Sequence, residues 1–139
     1  MRQASTELEF ATRGQGLVEV TREIAAWVDA QGIETGMLTV FCRHTSASLT
    51  IQENADPDVQ RDLETFFSNL VAEDPRLYRH TAEGADDMPA HIRGALTDVS
   101  LNIPLQRGRM ALGTWQGIYL FEHRARPHRR SLALHLLGE

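Results

Sequence analysis

Three stretches of the chain carry residues able to do chemistry. His44 ends an apolar run (Val40, Phe41, Cys42) and is followed by Thr45, Ser46 and Ser48. A neutral imidazole there can ligate a metal while the hydroxyls donate to an anion. His80 leads through the acid pair Asp86-Asp87 to His91, and the segment 113–117 reads Gly-Thr-Trp-Gln-Gly. His80 and His91 lie eleven residues apart, longer than any local metal-finger spacing, so a meeting with His44 depends on the fold. If they meet, His44, His80 and His91 suit a divalent ion, zinc or magnesium, with a position open for water or a phosphate oxygen.

Carboxylates and hydrogen-bonding groups extend the candidate site. Glu53 closes a strand-like segment, where it can act as a general base or hold a ligating histidine. Asp87, just before Met88-Pro89, can cap a helix or hold a cation that bridges to pyrophosphate. Thr114 and Gln116 offer side-chain hydrogen bonds between glycines that let backbone approach a ligand, and Trp115 reads as core. Asp56 reads as a helix cap. Residues 124–130 hold four arginines and read as a solvated hairpin turn. No Gly-x-Ser-x-Gly elbow frames Ser46 as a hydrolase nucleophile.

Composition narrows the function classes. At 139 residues, 42% apolar and 24% charged, the chain fits one folded domain, 1–139. All fourteen basic residues are arginine, which removes lysine Schiff-base chemistry and the P-loop lysine. A net charge of −5 disfavours nucleic acid and anionic membranes as partners. The longest apolar run, 24–28, falls far short of a membrane span, and the start lacks a signal-peptide core. With a single cysteine, Cys42, no disulfide can form within the chain, and a cytoplasmic location is expected.

The elements that must position these groups follow from periodicity. Alternation over 6–12 predicts a strand. Helical spacing of Ile24, Ala25, Trp27 and Val28 predicts a helix capped by Thr21 and closed by Gly32. Segments 37–43 and 48–52 read as strands paired in a hairpin around 44–47. Asp56-Pro57 starts the clearest helix, with Val59, Leu63, Phe66, Phe67 and Leu70 on one face to pack on a sheet. A shorter helix over 88–96 precedes strands at 99–104, 110–112, 117–123 and 131–137, read as a four-strand meander with turns at 107–108 and 124–130. Strands and helices in this order mean an α+β fold.

Residues 41–54 (Phe-Cys-Arg-His-Thr-Ser-Ala-Ser-Leu-Thr-Ile-Gln-Glu-Asn), Tyr78-Arg-His80, residues 84–93 (Gly-Ala-Asp-Asp-Met-Pro-Ala-His-Ile-Arg) and residues 112–118 (Leu-Gly-Thr-Trp-Gln-Gly-Ile) together resemble the YjbQ-like family over nearly the whole chain. The resemblance implies a compact α+β fold with a β-sandwich of mostly antiparallel strands, two main helices and a trimeric assembly. It also implies a secondary thiamine-phosphate synthase activity on small phosphorylated substrates, joining a pyrimidine pyrophosphate to a thiazole phosphate. In that reaction a divalent ion, Arg93, Thr45 and Ser46 would neutralise the departing pyrophosphate, Gln116 would orient substrate, and His44, Glu53, Asp87 and His91 would carry the chemistry. Many relatives read Gly-Asn-Ala-Asp-Ala-His where this chain has Gly84-Ala-Asp-Asp-Met-Pro-Ala-His91, which leaves open whether Asp86 or Asp87 takes the acidic role. Two other readings stand beside this one. One is a metal-dependent hydrolase in which Glu53 takes a proton from water; the other is a noncatalytic trimeric module that binds a metabolite.

Overall fold

A computed structural model describes residues 1–139 as two antiparallel sheets with three α-helices. Strand β1 (Arg2–Ala11) pairs with β8 (Arg129–Gly138), which pairs with β3 (Gly36–Cys42), then β5 (Ser100–Gln106) and the short β6 (Arg109–Met110). The second sheet holds β2 (Gly16–Glu19), β7 (Gln116–Glu122) and β4 (Ala47–Glu53), with β7 in the middle. Mixed helix and antiparallel sheet is the expected class. The two main helices, α1 (Thr21–Gln31) and α2 (Pro57–Leu70), and the shorter α3 (Asp87–Leu96) are all present. No helix is long and apolar enough to cross a membrane.

Period-two burial makes one core from both sheets. On β5 only Leu101, Ile103 and Leu105 are buried, and on β8 Leu132, Leu134 and Leu136 point the same way. They join Leu38 and Val40 of β3, Leu49 of β4, Ile118 and Leu120 of β7, and Ile24 and Val28 of α1 in a single apolar cluster. Truncating any of these leucines to alanine costs about 2–5 kcal/mol. Strand β7 is buried at every position from Gly117 to Glu122, as a central strand covered on both faces must be.

Several local expectations hold. The Asp56 side chain accepts from Asp58 N–H and Pro57 opens α2, while Gly32 ends α1 in the left-handed region at φ 64°. Arg107 and Gly108 both have positive φ in the β5–β6 turn, as tight hairpins require. Others fail. Strands β3 and β4 do not pair, because the 43–46 segment carries the chain from one sheet to the other. The C-terminal strands form no meander: β7 joins the small sheet, β8 the large one. Thr21 does not cap α1; its hydroxyl donates to Glu19 and accepts from Ile118 N–H, tying helix to sheet. Helix α2 buries no residue fully; Val59, Leu63 and Phe67 are half-buried, while Phe66 and Leu70 stay exposed.

Candidate metal centre

Asp87 is the first residue of α3 and His91 lies one turn on, so the helix puts both on one face. His80 arrives from the preceding connection. One 3₁₀ turn (Pro75–Leu77), capped by the Asp74 carboxylate, and a turn through Gly84 at φ 112° fold that connection back onto the start of α3. The result is a triangle of donors. Asp87 Oδ2 lies 2.7 Å from His80 Nε2 and 3.2 Å from His91 Nε2, and the three ligand atoms are all within 4.8 Å of one another. The two rings meet edge to face at 5.3 Å.

Burial is graded across the triangle. The Asp87 side chain is 2% exposed, against 47% for His80 and 32% for His91. The carboxylate is the floor and the imidazoles form the mouth. Arg124 holds the floor in place: its Nη1 donates to Asp87 Oδ1 at 2.8 Å, its Nε to Asp86 Oδ2 at 3.0 Å and its Nη2 to the Glu83 carbonyl at 3.0 Å. Asp86 Oδ2 also accepts from Ala125 N–H at 2.8 Å. The acid pair therefore divides its work, with Asp87 facing the histidines and Asp86 anchoring Arg124. Burial works to raise the Asp87 carboxyl, but the hydrogen bond from His80 and the charges of Arg124 and His91 outweigh it and hold the group below the usual range. Asp86 is lowered likewise, burial being outweighed by Arg124 and the Ala125 N–H.

His44 is outside the triangle. Its Nε2 accepts the Ser131 backbone N–H at 2.7 Å, so that nitrogen is already engaged by β8. The ring instead shares with His91 a cleft of about 300 Å³ that also takes in Thr45, Gly94 and Val99. Ser46 Oγ accepts from Arg130 Nη2 at 3.0 Å, and its carbonyl accepts from His123 N–H. Arg93 is buried, with Nε and Nη2 donating to the Phe67 and Val71 carbonyls at the end of α2. It caps a helix.

Glu53, Thr114 and Gln116 sit at the opposite end of the small sheet. Ala47 pairs with Glu122 at the histidine end and Glu53 with Gln116 at the other, roughly 20 Å along the strand. Gln116 Oε1 accepts the Gly113 N–H at 2.8 Å, closing its own turn. Thr114 is exposed, and Trp115, expected in the core, is 62% exposed. Glu53 cannot serve as base to the histidine cluster within one chain at that distance.

Three consecutive residues after the apolar run of β7 matter more than their sequence suggests. Glu122 is fully buried, accepting from Thr12 Oγ1 at 2.6 Å and Arg130 Nε at 2.8 Å, with a second, shorter contact to Arg130 Nη2. His123 shares a 2.8 Å hydrogen bond between Nε2 and Ser48 Oγ, and burial, reinforced by the Arg93 charge, pushes its pKa down to about 4. Arg124 is the clamp already described. Charged residues directly following the apolar run 118–121 are the available signal, hidden because 124–130 looks like a solvated turn.

Comparison with known proteins decides the family. The model of the UPF0047 protein YjbQ-like family matches residues 6–139. The chain belongs to that family. A UPF0047 protein of Synechocystis sp. is 57% identical over 138 residues, covering 99% of this chain and 94% of its own. The YjbQ protein of Escherichia coli O157:H7 is 42% identical over 133 residues, covering 95% and 96%. A crystal structure from Clostridium acetobutylicum, described as an uncharacterized conserved protein of the family, superposes with a TM-score of 0.83 at 33% identity, covering 94% of this chain and 99% of its own. A conserved hypothetical protein of Thermus thermophilus gives 0.83 at 35% identity, covering 95% and 99%. These relatives overturn the thiamine-phosphate synthase expectation: they carry family designations alone, and none is named for that activity.

Proposed function

We propose that the chain is a metal-dependent enzyme whose centre, His80, Asp87 and His91, holds one divalent ion and activates water against a small phosphorylated molecule. The observation that carries the reading is the convergence of two imidazole nitrogens and one buried carboxylate oxygen within 4.8 Å. Two nitrogens and an oxygen are a donor set that zinc accepts, whereas magnesium favours oxygen donors throughout, so the residues fit a zinc-type ion. Three protein ligands with a fourth position open is the pattern of a catalytic site. A bound ion there supplies Lewis acidity, lowering the pKa of water and offsetting phosphate charge.

The side chains divide the remaining work. Asp87 brings the negative charge, Arg124 orients it through Oδ1, and the half-exposed His80 and His91 leave the mouth accessible to a ligand. Assembly as a trimer, with the two sheets facing each other as a sandwich, belongs to the same proposal. So does a cytoplasmic location, supported by the unpaired, buried Cys42. Calorimetric titration with zinc tests the centre. One equivalent is expected to bind, with affinity lowered on the order of 100-fold or more in Asp87→Ala and nearly unchanged in His44→Ala. Equal affinity in the Asp87 variant and the wild type would refute the reading.

A further inference from the structure

His44 has the hydrogen-bonding role of its ring decided by the backbone. The Ser131 N–H can only donate, so His44 Nε2, 2.7 Å away, must accept. A neutral imidazole accepting at Nε2 carries its proton on Nδ1. Burial, followed by the Arg130 charge, lowers the His44 pKa and keeps the ring neutral. The ring edge left for a ligand is therefore a donor, and it can neither take a proton through Nε2 nor ligate a metal through it.

His44 and the metal centre's His91 both line a cleft of about 300 Å³. The other lining residues are Thr45, Ala47, Gly94, Ala95 and Val99, and none carries a fixed charge. A phosphate has no counter-charge here. The cleft suits the organic part of a substrate, uncharged and compact, with an acceptor for the His44 N–H. Gly94 lines the cleft with no side chain, and a Cβ there would make ordinary contact, 3.5 Å from the Thr45 carbonyl oxygen.

We propose that His44 is a fixed-tautomer hydrogen-bond donor that selects substrates whose phosphate, at the metal centre, is esterified to a compact uncharged group bearing an oxygen or nitrogen acceptor. The phosphate half rests on the metal reading above; the cleft half does not. The role is one of specificity and positioning, and it replaces ligation as the task of this histidine.

The test is nitrogen-15 NMR of the histidine rings, with benzamide, an uncharged ring with a carbonyl acceptor, titrated into zinc-loaded and metal-stripped protein. The expected spectrum shows His44 protonated on Nδ1, with signals that benzamide moves saturably in both forms. Binding should weaken tenfold or more in His44→Leu, which has no donor at that position, and in Gly94→Val, which adds bulk to the cleft while leaving the histidine in place. A His44 proton on Nε2, or His44 signals unmoved by benzamide, would overturn the proposal. Benzamide needs no ion, so binding to a protein that takes up no zinc would defeat the metal reading and sustain this one. Zinc uptake with an unresponsive His44 would do the reverse.

Discussion

The two ends of the β4–β7 ladder carry similar residue types and do different things. At the Ala47–Glu122 end, histidines, acids and arginines from the 44–46 segment, α3, β8 and the end of β7 converge, and two imidazoles remain half open. At the Glu53–Gln116 end no such cluster forms: Gln116 Oε1 closes the 113–116 turn, while Thr21 and Asn54 both bond the Glu19 carboxylate. The Gln116 oxygen is already engaged in its own turn, and the one cluster of metal-ligand atoms lies at the other end. The difference shows that chemistry-bearing residue types are a weak guide until their hydrogen bonds are counted, a complete accounting for each donor and acceptor.

The largest effect expected of a single change lies in the scaffold of the histidine end. Arg130→Ala strands the fully buried Glu122 carboxylate, and denaturant unfolding should show a loss of about 3–5 kcal/mol. A loss below about 1 kcal/mol would mean that the pair is not what holds this end together. Acid comes next. His123 is neutral in the fold with a pKa of about 4, so between its ordinary value of 6.5 and that figure the unfolded chain binds more protons than the folded one. Stability must therefore fall as pH falls through this window, by about 2 kcal/mol between pH 7 and pH 5. Glu122, whose carboxyl is held below its ordinary 4.5, adds to the loss only at lower pH, as it protonates. In His123→Asn the slope between pH 7 and pH 5 should flatten; an unchanged slope would assign the acid sensitivity elsewhere. The smallest effect belongs to the other end. Gln116→Ala removes one exposed hydrogen bond to Gly113, which should cost about 1 kcal/mol and leave zinc affinity untouched. A change in zinc affinity would erase the distinction between the ends.

What can be read from the chain follows the same division between local and distant. The Asp56-Pro57 cap, the Gly32 stop and the Arg107-Gly108 turn depend on neighbours in sequence, and all are found where expected. Sheet membership depends on partners far away, which is why 37–43 and 48–52 look like a hairpin yet belong to different sheets. The short β2 has four residues and no distinctive alternation, so periodicity does not reveal it. In the site, His80, Asp87 and His91 are legible as candidates, and the Asp87–His91 pair shares a helix face. His44 reads as a ligand in the sequence because its true partner is a backbone N–H 87 residues away. Arg124 escapes notice because an arginine-rich turn resembles solvent-facing sequence, whereas this one reaches back to an acid pair 37 and 38 residues earlier.

The central claim is the donor triangle, and its most direct test is anomalous diffraction at the zinc edge from crystals of the zinc-loaded protein. One peak is expected at roughly 2.0–2.2 Å from His80 Nε2, His91 Nε2 and an Asp87 carboxylate oxygen, with His44 still bonded to Ser131. A peak at Glu53 or His44 instead, or none between His80 and His91, would contradict the account.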